Sequence, residues 1–489
     1  MNSNTVRAEA GVERDPRRWW ILVVLCLALL VLVVDNTVLN LAIPKLYQEL
    51  GANQSDIQWI IDAYVLAYAG LLLTSGSLSD RYGRRLFLVI GLVIFGGASL
   101  LAVLVTEPWQ LIAARALMGV GGCLVMPSTL SILMTVFDED ERRKAMAAWS
   151  AVALVGMVSG PTLGGLMLQN FWWGSVFLIN IPIAAVAIVA AFVLMPESKA
   201  EGRKIDLVGV VLSVVGLTAA VYVIIEREWN WPIIAVAVVA LGAFVLWERK
   251  QKQPMLPLHL FANRNFSGAS FSILLMSFGA GAVMLMLTQY LQFVLGYQAM
   301  QAGLAMLPYA IAAAVFNGIG AGLGQKVSNR VLVGVGLLVI SGGFVVMATT
   351  TGYLPLLTGL VMMGIGAGTM GPAAYASLMG AIPLQHAGVG SALNDTVQQV
   401  GMAMSIAVLG SVLAGQYTSS LPPGLPPAAG ESIGQAHLLG YGPAANEAFT
   451  SAMHVGSWVG AAFSVAAALL AVIVLRPAAP APVQEPVKV

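Results

Sequence analysis

The sequence predicts an all-α polytopic membrane protein with 14 transmembrane helices: two six-helix halves plus two inserted central helices. Three observations lead to this prediction: long apolar runs, basic residues in alternate loops, and an internal repeat. Of the 489 residues, 58% are hydrophobic and only 10% are charged, whereas a soluble domain carries about 25% charged residues. Most of the chain therefore suits lipid rather than water.

Apolar runs set the number and position of the predicted helices. A transmembrane helix needs about 20 mostly apolar residues. Such runs lie near 19–40, 57–78, 86–105, 109–136, 146–168, 174–195, 207–225, 231–247, 266–295, 303–324, 331–350, 354–379, 388–414 and 453–475. Polar hinges follow the sixth and eighth runs. We therefore expect an N-terminal half at 1–196, a linker with two inserted helices at 197–250, and a C-terminal half at 251–489 with a long outer loop near 415–452.

Basic residues test this count independently. With fourteen spans and a cytoplasmic N-terminus, all but three of the 24 Lys and Arg residues fall in cytoplasmic loops or tails; the exceptions are Lys45, Arg115 and Arg227. The positive-inside rule demands such an asymmetry, and an error of one span would abolish it. The sequence thus predicts a multi-pass protein of the cell membrane with both termini in the cytoplasm.

An internal repeat indicates how the helices are grouped. The segments LIAARALMGVGGCLVMP and LLTGLVMMGIGAGTMGP, which begin at Leu111 and Leu356, share five identities at an ungapped offset of 245. The same offset places Arg81 on Lys326 and Arg85 on Arg330, in loops of the same side. Parallel repeats with a binding site between them are a transporter arrangement.

Composition also excludes several classes of function. The net charge of +1 gives no indication of a nucleic-acid partner, and the only two cysteines, Cys26 and Cys123, lie in apolar runs. The four histidines have no metal-binding spacing, and the sequence contains neither an aspartate-rich magnesium motif nor a P-loop. We therefore expect no metal, no cofactor and no ATP hydrolysis, and a membrane-embedded enzyme is the less favoured alternative.

Four charged residues inside apolar runs are the candidates for chemistry. A helix rise of 1.5 Å per residue puts Asp35 about 24 Å along its span, in the outer half, and Asp62 and Arg115 at a similar depth. These three could form one cluster, whereas Asp395 lies in the inner half of the thirteenth run. A low dielectric favours a neutral carboxyl group and a nearby cation favours the ionised form, so such acids could exchange a proton for a cationic substrate. The alternative is that hydrogen bonds satisfy each acid and no proton moves.

The segment GSLSDRYGRR places an acid and three basic residues around a glycine turn. Charge-assisted hydrogen bonds there could pin two helix ends and then break and re-form as the halves rock. The alternative is an ordinary basic loop that obeys the positive-inside rule. The candidate residues of this latch are Gly76, Asp80, Arg81, Gly83, Arg84 and Arg85.

The fifth run contains GMVSGPTLGG, in which a proline removes a backbone donor and glycines permit close approach of another helix. The alternative is a tight packing face with no further function. The candidate residues are Gly156, Gly160, Pro161, Gly164 and Gly165.

These segments resemble motifs of the major facilitator superfamily. GSLSDRYGRR is similar to its signature loop, GMVSGPTLGG to its fifth-helix antiporter motif, and LIAARALMGVG to its fourth-helix motif, with Met118 where Gln is common. The segment WWGSVFLINIP, from Trp172 to Pro182, is similar to one in the fourteen-span drug:proton antiporters. A first-helix pattern of that family matches at Asp35, Thr37, Asn40, Ala42 and Pro44.

The resemblance implies a proton-coupled antiporter that exports lipophilic, mostly cationic drugs, dyes and antiseptics, and that functions as a monomer in the lipid bilayer. A narrow exporter of one metabolite or antibiotic, or an uptake symporter, remains as an alternative, although the antiporter-like fifth run argues against uptake.

Overall fold

The computed structural model describes residues 16–199, 206–226, 230–251, 254, 256, 258–324, 326–380 and 387–475, and within these ranges the regular structure is helical, without a strand. The two chain termini, for which a cytoplasmic location is predicted, lie outside the described residues. The helices are α1 (Arg18–Glu49), α2 (Gln54–Tyr82), α3 (Arg84–Val103), α4 (Pro108–Val136), α5 (Glu139–Asn170), α6 (Ser175–Leu178), α7 (Asn180–Leu194), α8 (Leu207–Glu226), α9 (Trp231–Lys250), α10 (Arg264–Gln289), α11 (Ala299–Leu323), α12 (Asn329–Thr349), α13 (Tyr353–Gly380), α14 (Ala387–Ser420), α15 (Ile433–Leu438) and α16 (Gly442–Val474).

Length and composition confirm a polytopic all-α protein. Among the described residues, 12 helices are long and apolar enough to cross a membrane, with α6 and α7 counted together as one span. Helix α2 bends by 53° between Leu72 and Thr74 and would make 13. The predicted count of fourteen goes beyond this number.

The long helices run up and down in turn, so the bundle has two ends. We call the end with the α1–α2 loop (residues 50–53) the upper end and the end with the α2–α3 turn at Gly83 the lower end. At the upper end, Lys45 Nζ of α1 donates to the carbonyl of Phe171, 2.7 Å away, just after α5. At the lower end, Trp247 Nε1 of α9 donates to Asp206 before α8, at 2.8 Å.

Two sets of helices have the same packing pattern. In the N-terminal set, α1 packs against α5 and α7, α2 packs against α4, and α3 packs against α4 and α7. In the C-terminal set, α10 packs against α14 and α16, α11 packs against α13, and α12 packs against α13 and α16. Shifting α2, α3 and α4 by 245 residues gives 299–327, 329–348 and 353–381, close to the observed bounds of α11, α12 and α13.

Glycine contacts repeat with the same offset. A Cβ atom on Gly91 of α3 would lie 2.7 Å from the carbonyl oxygen of Gly121 on α4. A Cβ atom on Gly336 of α12 would lie 2.7 Å from the carbonyl oxygen of Gly366 on α13. Since only glycine permits such an approach of two backbones, both helix pairs depend on the same small-residue contact.

The two sets meet at the upper end. Gln169 Nε2 of α5 donates to Gln298 Oε1 at 2.9 Å, and Gln292 Nε2, just after α10, donates to the carbonyl of Leu41 on α1 at 3.2 Å. Helix α8 lies along the seam between α2 and α14: Gly70 of α2 faces Val214, and Ser411 Oγ of α14 donates to the carbonyl of Ile224 at 2.7 Å. Helix α9 packs against α8.

Helical turns occupy both ends of the predicted outer loop near 415–452. Helix α14 continues to Ser420, and α16 begins at Gly442 with a proline in its first turn. Both helices therefore extend past their apolar runs, because helix capping and packing hold turns that hydropathy does not identify. The residues between them, 421–441, are called the cap segment below; they contain α15, and Tyr417 of α14 donates to the carbonyl of Ala429 at 3.1 Å.

Candidate functional site

A buried ion pair joins α1 to α4. Arg115 Nη1 lies 2.5 Å from Asp35 Oδ2, and the relative exposure is 3% for Asp35 and 0% for Arg115. Two opposite charges at this depth are stable only when their remaining hydrogen-bonding groups also find partners. The partners of both residues therefore decide what the pair can do.

Both ends of the pair are held by further polar groups. Asn180 Nδ2, in the first turn of α7, donates to Asp35 Oδ1 at 2.8 Å and to Ser99 Oγ of α3 at 3.2 Å. Arg115 Nε donates to the carbonyl of Ile60 on α2 at 3.2 Å, and its guanidinium lies 4.3 Å from the centre of the Tyr64 ring. Five helices thus contribute to one network, with a carboxylate bonded through both oxygens.

Glycines let α4 bring the arginine to this position. Gly119, one turn after Arg115, lies directly against the backbone of Tyr64, and a Cβ atom there would overlap the Tyr64 carbonyl. A Cβ atom on Gly122 would lie 3.0 Å from the Tyr64 hydroxyl. The fourth-helix segment therefore combines one charge with the close approach that delivers it.

Asp62 lies on the other side of α2 and is not bonded to this pair. It has 0% exposure, and neither carboxylate oxygen has a hydrogen-bond partner among the described residues. Residues four apart share a helix face, so Asp62 points with Gln58, whose side chain lies against Gly410 of α14. The predicted cluster of three is therefore two sites, an ion pair toward α1 and α4 and a lone acid toward α14.

Asp395 belongs to the C-terminal set. It lies in the lower half of α14, and Asn394 Nδ2 donates to its Oδ1 at 3.0 Å. The acid therefore belongs to the opposite helix set from the Asp35–Arg115 pair, on a helix that packs against α2.

The predicted latch lies at the lower end. Asp80 Oδ1 accepts from Arg84 Nε at 2.7 Å across the turn at Gly83, whose φ of 138° favours glycine. Arg85 Nη1 donates to the carbonyl of Met195 after α7 at 2.8 Å. These partners lie in the N-terminal set.

The two other latch residues make no such ion pair in the described structure. Arg81 lies 5.3 Å from the ring of its neighbour Tyr82, and a Cβ atom on Gly76 would lie 3.7 Å from Pro127 of α4. Gly76 thus belongs to the α2–α4 packing.

Three glycines of α5 are spaced four residues apart and therefore lie on one face of the helix. Gly156, Gly160 and Gly164 lie against α1, next to Val33, Thr37 and Val38 in turn. Gly165 points to the other set, where its Cβ atom would lie 2.5 Å from Cα of Met300 at the start of α11. Pro161 lies inside α5, but its side chain is outside the described residues. This motif therefore serves close packing both within the N-terminal set and between the sets.

Sequence reasoning assigned no role to Asn180, Gln54 or Gln58. Asn180 lies within the WWGSVFLINIP segment, so a polar residue in an apolar span was the available signal. The spacing of Gln54, Gln58 and Asp62, each four residues apart, was a second one. In the described residues, no group of three or more His, Cys, Asp or Glu side chains could hold a metal ion.

Comparison with known proteins gives a consistent result. A family model described as Major Facilitator Superfamily matches residues 25–406. The chain is 35% identical to the puromycin resistance protein pur8 of Streptomyces alboniger, covering 85% of this chain and 86% of that protein. It is 31% identical to the multidrug efflux pump LfrA of Mycolicibacterium smegmatis, covering 89% and 90%.

A solved structure shares the fold at low sequence identity. It is a bacterial homologue of the human lysosomal transporter Spinster in an inward-facing, unoccupied conformation, with a TM-score of 0.69, 17% identity, and coverage of 96% of this chain and 100% of that one.

Proposed function

This chain belongs to the Major Facilitator Superfamily, and from that premise we propose that it is a proton-coupled antiporter that exports lipophilic, mostly cationic drugs, dyes and antiseptics across the bacterial cytoplasmic membrane. The observation that carries the proposal is the pair of unlike acid sites in α1 and α2. Asp35 forms a buried ion pair with Arg115, and Asp62 is buried without a hydrogen-bond partner among the described residues. The efflux and resistance functions in the names of the relatives support export of drugs.

The two acid sites suit alternating proton occupancy. An ionised carboxylate without any partner costs several kcal/mol in a protein interior, so the surroundings of Asp62 fit a protonated carboxyl group. Protonation of Asp35 would remove the charge that holds Arg115 and would loosen a link among five helices. Proton transfer between these sites and the aqueous phases can therefore be coupled to helix movement.

We infer that fourteen helices span the membrane, with α5 and the bent α2 completing the count. In this arrangement α1–α7 and α10–α16 are six-helix halves within 1–196 and 251–489, related by a parallel repeat, and α8 and α9 are the inserted helices of 197–250. The basic residues of the lower end support a cytoplasmic location for that end and for both termini. The upper end, where the halves meet, is then the outer face, and the structure corresponds to an inward-facing state.

In this state we assign the latch to the N-terminal half alone. Asp80 pairs with Arg84 in the turn between α2 and α3. When the lower ends of the halves close together, the same charged residues face the partner half and can bond across the seam. Gly165 of α5, against the start of α11, provides a close contact about which the halves can rock, while Gly156, Gly160 and Gly164 hold α5 to α1 within the N-terminal half.

The C-terminal half provides the substrate side of the proposal. Asp395 in α14 is an acid that a cationic substrate can approach from the lower end. Methionines are frequent in this half, and their flexible side chains adapt to ligands of different shapes. We propose a monomer that needs no cofactor and no nucleic-acid partner and catalyses no chemical reaction.

A narrow exporter of one antibiotic is the second candidate. The relative from Streptomyces alboniger is named for resistance to a single compound, whereas the one from Mycolicibacterium smegmatis is named as a multidrug pump. A panel of cationic, neutral and anionic substrates separates these two candidates.

The experiment for the proposed function uses purified protein in proteoliposomes with a pH-sensitive dye inside. A lipophilic cation should drive proton movement in the opposite direction, and Asp35→Asn should abolish it because an amide cannot exchange the proton. Glu447→Gln, which changes an exposed acid in α16, is the control and should couple normally. Wild-type export without any proton movement would contradict the proposal.

A further inference from the structure

A line of polar side chains leads from the upper end of α2 to Asp62. Gln54, Gln58 and Asp62 follow each other at intervals of four residues, so they lie on one face of the helix. Their relative exposures are 8%, 1% and 0%. Each has a side-chain atom without a hydrogen-bond partner among the described residues: Gln54 Nε2, Gln58 Oε1 and both oxygens of Asp62. Three successive unsatisfied polar groups on an otherwise apolar seam need a physical reason.

The upper end of this line opens into a small cavity. Gln54 lines it together with Gln289, Tyr417, Ser432 and Glu431, the last of which is exposed and belongs to the cap segment. The Gln54 side-chain oxygen is bonded to the Tyr47 hydroxyl, so its unpartnered Nε2 is the group left over at the cavity. The line therefore begins at a small cavity whose wall carries several polar side chains, among them one exposed carboxylate, next to apolar ones.

The seam below the cavity is narrow. Gln58 fills the space in front of Gly410 of α14, with its Nε2 2.8 Å from where a Cβ atom would be. Above it, the cap segment packs against α1, where Gly434 lies against the Tyr47 ring. A drug-sized molecule has no room on this route, whereas single waters can bridge polar groups one helical turn apart.

We propose that this face of α2 is the route by which protons from the upper end reach Asp62. The proposal rests on the proposed antiport function and names the access path for its proton. A proton collected by water near Glu431 passes through water held by Gln54 and Gln58 to the Asp62 carboxylate. A hydronium ion at the entrance loses one O–H bond, each water on the route gains one O–H bond as it gives up another, and the Asp62 carboxylate gains the last one.

Two features prevent protons from crossing the protein by this route without export of substrate. Asp62 has no exposed surface, so a proton that arrives from above is not released at once to the lower side. The other charged groups near the start of α2 are already engaged. Glu226 of α8 accepts from Ser55 and Trp59, at 2.8 Å and 2.9 Å, and Asp56 accepts from the Asn53 backbone at 2.9 Å. Arg115, which faces α2 from α4, is bound to Asp35.

The test separates the route from the site at its end. Purified protein in detergent, loaded with a lipophilic dication, is diluted rapidly so that the dication dissociates, and proton uptake is followed with a pH indicator. Gln58→Leu should leave the amplitude of uptake unchanged, because Asp62 remains, but should slow it by about tenfold, equivalent to about 1.4 kcal/mol in the barrier. Asp62→Asn should remove the amplitude, and Gln58→Glu should restore the rate.

Gln416→Leu is the matched control. Gln416 lies on α14 at the same end, and its Nε2 donates to Ser420 Oγ of its own helix at 3.1 Å, so the rate should not change. Equal uptake rates in wild type and Gln58→Leu, with the wild-type amplitude intact, would overturn the route and leave the antiport function standing. No proton uptake by wild type would overturn the antiport function itself. A loss of amplitude in Gln58→Leu would also overturn the route, since it would make Gln58 part of the proton site.

Discussion

The N-terminal and C-terminal helix sets have the same backbone contacts but very different buried charge. Gly119 lies against the Tyr64 backbone in one set, and Gly364 lies against the Tyr309 backbone in the other. Each residue of the second pair follows its counterpart in the first by 245 positions. At the same offset Asp35, Asp62 and Arg115 correspond to Ala280, Leu307 and Leu360. The helix framework is therefore built without these charges.

Helices with these backbone contacts can therefore pack without buried charges at these positions. Leu360 is fully buried at the place that corresponds to Arg115, so an apolar residue fills this position in the same packing. A buried ion pair is often no more stabilising than apolar residues of similar volume. This comparison supports the proposal that the charges in α1, α2 and α4 serve proton exchange.

The largest expected effect comes from giving the N-terminal set the residues of the C-terminal one. Arg115→Leu alone leaves Asp35 buried with Asn180 as its only described partner and should destabilise the protein by about 3–5 kcal/mol, since a single buried charge then stays uncompensated. The double change Asp35→Ala with Arg115→Leu should recover most of that stability while proton-coupled export stays lost. Thermal unfolding in detergent and transport in proteoliposomes measure the two quantities.

The double variant is the critical comparison for the ion pair. If the double variant were as unstable as Arg115→Leu, the N-terminal set would need the ion pair for its stability. The two sets would then differ in what stabilises them and not only in function. If the double variant still coupled export to proton movement, the pair would be excluded from proton exchange.

The second prediction concerns the contacts that the sets share. Gly91→Leu and Gly336→Leu should each destabilise the protein by about 1–3 kcal/mol, the usual cost of overpacking, because each Cβ atom would meet a carbonyl at 2.7 Å. The control is Gly97→Leu, also on α3, because nothing lies within 4 Å of the position that a Cβ atom on Gly97 would occupy. Midpoints of thermal unfolding give the comparison. A large effect in only one set would mean that the shared contacts do not carry similar energy.

The sequence predicted the helical framework well and the site only in part. Runs of about 20 apolar residues identify spans because lipid leaves the backbone no other partners, and the glycines of α4 and α13 revealed the offset of 245. Depth along a helix placed Asp35 and Arg115 in one layer, and they are in contact. It could not tell that Asp62 faces α14, because depth says nothing of direction around the helix axis. Asn180 was missed because a single amide in an apolar run has no pattern.

The third prediction uses an acid that only the C-terminal set has. Asp395 corresponds to Ser150 in the N-terminal set. Asp395→Asn should weaken binding of a monovalent cation by about tenfold, equivalent to about 1.4 kcal/mol, and that of a divalent cation by more, while a neutral substrate is unaffected. Equilibrium binding to purified protein measures this, and Asp395→Glu should restore it. Equal losses for all three substrates would indicate a structural role for Asp395.

The smallest expected effect lies in the latch, where the sets differ again: Asp80 and Arg84 correspond to Gln325 and Asn329. The Asp80–Arg84 pair seen here is partly exposed, with side-chain exposures of 34% and 12%, and such pairs contribute about 1 kcal/mol or less. If Asp80 bonds to the other half when the lower ends close, that contact is worth about 1.5–3 kcal/mol.

Asp80→Asn therefore loses more in the outward-facing state than in the inward-facing one. It should shift the equilibrium toward the inward-facing state by about 1 kcal/mol, roughly fivefold in population, since 1.4 kcal/mol is tenfold. Turnover should slow while substrate affinity stays near that of wild type. Distances between spin labels on the lower ends of the two sets measure the populations, after membrane abundance has been shown to be normal. Unchanged distances with failed transport would mean that Asp80 acts within the N-terminal set alone, by holding the α2–α3 turn at Gly83, and that the charge difference at the lower end does not gate the transporter.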